Sequence, residues 1–339
     1  MQNKHLIETI QEVIKNENYS GTVFIKKGEE VILEKAGGFA DKSEERPNVI
    51  TTRFGIASGC KIFTAAAICQ LVEKGLLGFE TKLKDCLDIS FAKWDESVTI
   101  HQLLTHSSGI PDYFDEEVIE DFAELWKETP MYLLRGPSDF LPLFQNQPMK
   151  GEPGESFHYN NAGYILLGLV VERLTGMTFS DYVTESIFKT AGMLSSGYFS
   201  MDELPQNTAL GYVEKSDGQY KTNFYSLPIK GGPDGCAYVT SQDMISFWEA
   251  LFENRILDEK LTRVLVSPQI KVKEGVHYGY GVWINNEKAV TKYHVMGYDP
   301  GVSFHCGYYP ETDMLFAIPC NHSSGAYSIM KKIDEYLEK

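Results

Sequence analysis

Strand-forming segments lie at both ends of this chain, with a long helical stretch between them. Residues 21–27 and 30–38 alternate as two strands around the turn Lys27-Gly28-Glu29-Glu30, which predicts a hairpin. Three more strands are predicted late, over 280–285, 302–309 and 314–319, and shorter β-like runs fall at 209–213 and 220–225. The middle of the chain reads as helix. A long apolar helix spans 58–74 and stops at Gly75, and a Thr-x-x-Gln capping box at Thr99 opens a shorter one. Further helices are predicted over 115–128, 137–147, 161–175 and 180–192. Others follow at 241–253 and 324–337, and Leu6, Ile7, Ile10 and Ile14 recur at helical spacing near the start. This order predicts an α+β fold: an antiparallel sheet that holds both chain ends and is flanked by terminal helices, with an all-helical region inserted in the middle.

Composition limits the partners. The 339 residues carry 31 Lys+Arg against 47 Asp+Glu, a formal charge of −16. Nucleic acid and anionic membrane surfaces both require a basic face, so neither is expected. No apolar run of signal-peptide length follows Met1, and no segment approaches the ~20 apolar residues of a membrane span. The six cysteines are scattered without a C-x-x-C pair, so no zinc site or disulfide framework is expected and a cytoplasmic location fits.

Familiar phosphate, dinucleotide and zinc motifs are absent, as is the G-x-S-x-G elbow. His101 and His106 stand five apart with no third ligand beside them, and read as helix-surface or structural histidines. The candidate that remains is Ser58-Gly59-Cys60-Lys61. Three other S-x-x-K tetrads occur, at Ser90, Ser186 and Ser328, but only Ser58 follows a short apolar lead-in and opens a long apolar helix. A serine there sits in the positive end of the helix field, near free N–H groups. Lys61, about one turn on, projects from the same face. A desolvated, neutral amine in that position can take the hydroxyl proton. The plain alternative is a helix cap beside a surface lysine. Cys60 is turned roughly 200° from Ser58, toward the core, and reads as a structural thiol. Tyr159-Asn160-Asn161 follows a Gly-rich turn and precedes an apolar helix. A phenol aimed at the Ser–Lys pair can relay protons, and an amide two residues on can hold a lysine or a substrate carbonyl. A packed loop tyrosine with asparagine as helix cap is the alternative.

Three blocks carry a family resemblance: FGIASGCKIFTAAAICQLVEKGLL (54–77), HQLLTHSSGIPDY (101–113) and GEPGESFHYNNAGYILLGLVVERL (151–174). They resemble the serine β-lactamase and penicillin-binding-protein superfamily, in the class C-like branch that also holds D-Ala-D-Ala carboxypeptidases, D-aminopeptidases and family VIII carboxylesterases. The stretch Gly235–Ser241 is similar to the G-G-L-x-S-T segment of that family. The resemblance implies Ser58 as the acylated nucleophile, Lys61 as its proton partner, and Tyr159 with Asn161 as the second motif. It implies a sheet domain of residues 1–57 with 205–339, a mainly helical domain of 58–204, and an active site between them. No metal or organic cofactor is implied. Tyr113, Tyr298 and Trp283 stand at positions where they either line the substrate pocket or simply pack.

The third motif departs from the pattern. The family carries K-[ST]-G or H-x-G there, followed by Pro-Gly. Counting back from Pro300-Gly301 puts Val295-Met296-Gly297 in that register, with His294 one residue early. Either a bulge returns His294 to the pocket, or Val295 faces it and His294 faces away; the second is favoured because bulges are the less common state. Val295 cannot hold a substrate carboxylate. The N–H of Gly297 or Tyr298 can still complete an oxyanion hole, whatever the side chain. The expected function is therefore hydrolysis of a small-molecule ester, amide or peptide through a Ser58 acyl-enzyme. Esterase or peptidase-like activity is favoured over efficient β-lactamase activity. The alternative is a catalytically weak penicillin-binding or ligand-sensing module.

Overall fold

The computed structural model describes residues 3–16, 19–115, 122–286 and 290–338. Eight strands form one antiparallel sheet: β1 (Gly21–Lys27), β2 (Glu30–Gly37), β3 (Ile270–Lys273), β4 (Val276–Tyr278), β5 (Trp283–Asn285), β6 (Lys292–Asp299), β7 (Val302–Tyr309) and β8 (Met314–Cys320), in the spatial order β2-β1-β8-β7-β6-β5-β4-β3. An early and a late strand meet near one edge of it, β1 against β8, where Gly21 pairs with Cys320 and Ile25 with Phe316.

Strand alternation sorts side chains to the two faces. Val23, Ile25, Met314, Phe316 and Ile318 pack against helix α1 (Lys4–Asn16) and the C-terminal helix, through Leu6, Ile10, Ile329 and Ile333. Phe24, Leu315, Ala317, Phe304 and Cys306 face the other way, into a larger core shared with helices α2 (Lys61–Glu73), α3 (Asn161–Thr175) and α4 (Ser241–Phe252). The C-terminal helix is α5 (Ala326–Leu337). Among the described residues, 58–204 supplies no strand to the large sheet.

Local signals explain the element ends. Thr99 and Gln102 form the expected capping box. Asn160 caps α3 by accepting from Gly163 N, and Gly176 closes that helix at φ +70°. Several sequence expectations change. The strand expected over 280–285 is cut to Trp283–Asn285, because Gly281 bends the chain at φ +71°. The runs at 209–213 and 220–225 shrink to a small ladder, Tyr212–Glu214 with Tyr220–Thr222. Strands β3 and β4 were not expected: β3 alternates as Ile270-Lys271-Val272-Lys273, but over only four residues, and β4 is three residues long. Of the helix expected over 115–128, residues 116–121 lie outside the described residues, and Phe122–Lys127 is a 3-10 turn. Among the described residues no single helix is long and apolar enough to cross a membrane.

Candidate active site

The nucleophile candidate stands on a forced turn. Phe54 and Gly55 pair with Val239 and Tyr238. Ala57 then adopts φ +46°, a left-handed conformation that a residue with a Cβ enters only under constraint. Residues Ala57–Cys60 make one 3-10 turn that runs directly into α2. Ser58 is thereby half-buried at the mouth of the helix, while Lys61, one turn deeper, is 1% exposed.

Lys61 Nζ has three oxygen neighbours: Ser58 Oγ at 2.9 Å, Asn161 Oδ1 at 2.8 Å and the backbone oxygen of Asp234 at 2.6 Å. A buried amine needs such partners to offset its lost hydration. The Tyr159 ring closes the cluster, its centroid 5.0 Å from Nζ. The sequence candidates Ser58, Lys61, Tyr159 and Asn161 are thus brought together from α2 and from the start of α3. Cys60 is fully buried with its Sγ 3.7 Å from Gly232 O, and burial pushes its thiol up to about 12. It is no rival nucleophile.

Three contributors were not expected at the site from the sequence. Asp234 lies on the loop Gly231-Gly232-Pro233-Asp234-Gly235, which is tied to α2 by Thr64 Oγ1 donating to Pro233 O at 2.5 Å. Its backbone oxygen holds Lys61, while its buried carboxylate accepts from the Tyr113 hydroxyl. Burial raises the Asp234 carboxyl above the usual carboxylate range. Of the two readings given for His106, helix surface or structural, the structural one holds. His106 is 1% exposed at φ +56°, its Nδ1 accepts from Asn160 N at 3.1 Å, and its ring lies 4.3 Å from that of Tyr159. Burial, with Lys61 nearby, holds this imidazole well below its usual range. It is a neutral support beneath Tyr159. Asp112 accepts from the first N–H groups of α3. Trp283 stacks on Tyr159 from the sheet side, with centroids 6.4 Å apart and rings 13° from parallel.

A cleft of about 420 Å³ opens over Ser58. Tyr113, Asn161, Asp234, Cys236, Tyr298 and Asp299 are among the residues that line it.

A family model for β-lactamase matches residues 6–332. The chain belongs to the β-lactamase family. It is 30% identical over 318 residues to penicillin-binding protein 4* of Bacillus subtilis, which covers 88% of this chain and 67% of that protein. A solved penicillin binding protein from Bacillus halodurans is 53% identical, with a TM-score of 0.93 over 96% of this chain and 99% of that one. The D-amino acid amidase of Ochrobactrum anthropi SV3, at 23% identity, shares the fold, with a TM-score of 0.81 over 99% of this chain and 98% of the amidase. The chain spans about two thirds of the length of the two curated Bacillus subtilis relatives it matches.

The third motif of this β-lactamase-family chain lies on β6, and the ladder to β7 runs without a register shift from Tyr293↔Tyr308 to Asp299↔Val302. With no bulge, alternation decides the faces. Lys292, His294, Met296 and Tyr298 face α5: Lys292 Nζ reaches Asp334 at 2.7 Å, and Tyr298 Oη lies 2.5 Å from His305 Nε2. His294 is therefore removed from the candidate site. It is buried behind the sheet, its Nε2 lies 3.0 Å from Asn285 Oδ1, and burial holds its ring far below the usual histidine range. Val295 is on the nucleophile's side of the sheet but is 2% exposed in the core, beneath the cleft instead of lining it.

Gly297 is the β6 residue that meets the nucleophile turn. A Cβ there would lie 2.1 Å from Ile56 O and 2.9 Å from Ser58 N, so only glycine allows the approach. Pro300 and Gly301, the latter at φ +74°, form a two-residue turn. Its closing pair, Asp299 and Val302, exchanges hydrogen bonds, so Tyr298 falls in the next, non-hydrogen-bonded pair. The N–H of Gly297 is consumed by β7, and that of Tyr298 points off the strand edge.

Proposed function

We propose that this chain is a serine hydrolase that cleaves an ester or amide through a Ser58 acyl-enzyme. The observation that carries the reading is the contact set of Lys61. Asn161 Oδ1 and Asp234 O can only accept hydrogen bonds. As an ammonium Lys61 can donate to all three oxygens; once it has lost a proton, its two remaining hydrogens stay with Asn161 and Asp234 and its lone pair is left for Ser58 Oγ, 2.9 Å away. That is the orientation a general base requires. Oγ attacks the substrate carbonyl and its proton passes to Lys61, with Tyr159 beside the pair to carry a proton to the leaving alcohol or amine. The N–H groups of Ser58 and Tyr298 stabilise the oxyanion. Water then attacks the acyl carbonyl, Ser58 recovers its proton, and the acid leaves.

The substrate side of the proposal follows from charge. The third-motif register offers Val295 where the family's cation would hold a substrate carboxylate. Among the described residues, the cleft wall carries Asp234 and Asp299 against one cation, Lys230, which lies on the loop of Asp234 and not on β6. Esters and amides without a carboxylate beside the scissile bond are favoured over β-lactams. The name of the Bacillus subtilis relative keeps penicillin as a relevant acylating probe. A cytoplasmic site of action belongs to the same proposal, and the six free cysteines suit a reducing compartment.

The same missing cation favours one second reading, a module that is acylated but turns over poorly. Intact-mass measurement separates the two. The protein and Ser58→Ala are incubated with a p-nitrophenyl ester and with a fluorescent penicillin. Turnover lost in the variant supports the hydrolase. A stable adduct on Ser58 without turnover supports the sensor, and neither adduct nor Ser58-dependent turnover refutes both.

A further inference from the structure

Asp112 is a buried carboxylate that the hydrolytic steps above leave unused. It is 5% exposed, on the loop that faces the start of α3. Its Oδ2 accepts from Asn161 N at 2.7 Å, and its Oδ1 accepts from Ala162 N at 3.0 Å and from Phe114 N at 3.4 Å. Asn160 caps this helix through Gly163 N, and Asp112 caps it through the two N–H groups before that one. The side chain of Asn161 explains what it adds. Asn161 Nδ2 lies 3.5 Å from Asp112 Oδ2 and 3.4 Å from Phe114 O, while Oδ1 lies 2.8 Å from Lys61 Nζ. An amide has one donating and one accepting end. Two acceptors on one side decide which end is turned to the amine.

We infer that Asp112 is a positioning residue for Lys61: its carboxylate fixes Asn161 with the carbonyl oxygen on the amine, and protonation of that carboxylate loosens the hold and slows the reaction. The inference rests on the hydrolase reading and adds a pH control to it. Among the described residues, the charged and titratable groups that act on Asp112 are Lys61 on α2, Tyr113 on its own loop and, beyond Lys61, Asp234. Burial pushes the Asp112 carboxyl up to about 7 against the backbone donors and Lys61, which pull it down. The hold therefore changes within the range of an ordinary assay.

The test uses p-nitrophenyl acetate between pH 5 and 9, with the full chain and with Asp112→Asn. Wild-type kcat is expected to fall about tenfold from pH 8 to pH 6, with a midpoint near 7. Asp112→Asn is expected to lose about 10–100-fold in kcat at pH 8 with KM within about threefold, and to lack that midpoint. A variant with wild-type kcat, or with the same acid limb, overturns the inference. So does a wild-type profile that is flat from pH 6 to 8, whether or not the variant folds. A second readout does not need turnover: the side-chain amide of Asn161 is followed by 15N NMR in Ser58→Ala protein. A single titration near pH 7 supports the positioning role even if no ester is cleaved, in which case only the hydrolase reading falls. An amide signal unmoved from pH 5 to 9 overturns the inference.

Discussion

Lys61 and Asp234 meet through the backbone: the amine is 2.6 Å from the Asp234 carbonyl oxygen, while the Asp234 carboxylate turns away to the Tyr113 hydroxyl. One contact survives a side-chain change and the other does not. Asp234→Asn keeps the backbone acceptor and an amide oxygen for Tyr113, so kcat should fall by less than about tenfold. Asn161→Ala removes a side-chain acceptor of Lys61 and should cost about 100-fold. Ester kinetics on both proteins check the order; an Asp234→Asn loss equal to that of Asn161→Ala contradicts it.

Restoring the family's third-motif lysine should fail. Val295 is 2% exposed in the apolar core, so Val295→Lys buries an ammonium without an acceptor. The expected result is a loss of about 3–5 kcal/mol in denaturant unfolding, with no faster acylation by benzylpenicillin. A folded variant that acylates faster would show that the residue reaches the cleft.

Gly297→Ala tests the approach of β6 to the nucleophile turn. The new methyl lies 2.1 Å from Ile56 O, so strand or turn must yield. Destabilisation of about 1–3 kcal/mol is expected, with a larger proportional loss in kcat than in stability, because Ser58 N and Tyr298 N both shift. Calorimetry and ester kinetics on the same sample measure the two effects. An active, slightly less stable protein would detach the strand from catalysis.

Asp112 also makes stability depend on pH. Its carboxyl is raised from 3.8 to about 7 in the fold, so between those values the folded chain binds more protons than the unfolded one. Stability from this group is fully present below 3.8 and is lost as pH rises through 7, by about 4 kcal/mol in all. The stability of wild type relative to Asp112→Asn should therefore fall between pH 4 and pH 7.5, read by urea unfolding. A difference that does not vary with pH would contradict the burial argument.

Side-chain chemistry at fixed helical spacing was readable in advance. Ser58 and Lys61 lie one turn apart whatever the tertiary structure, and Tyr159-Asn160-Asn161 sits at a helix start that Asn160 itself marks. The hairpin and the late strands β7 and β8 followed from alternation. Other parts had no such trace. The Asp234 carbonyl is a backbone group that any residue would supply, and only the fold aims it. His106 takes its role from a left-handed φ and a stacked ring, neither of which spacing encodes. Phase along β6 was readable only as a choice between bulge and regular strand, and the unbroken register with β7 decided it.

The pairing of β1 with β8 has a consequence for synthesis. Strand β1 cannot find β8 until the chain has left the ribosome past Cys320, because their partners lie some three hundred positions apart, as with Gly21 and Cys320. The hydroxyl on the early turn and the N–H on late strand β6 are assembled by that same closure. A nascent chain would thus be chemically silent until β8 docks, and its exposed sheet edges would need protection for the whole of that wait.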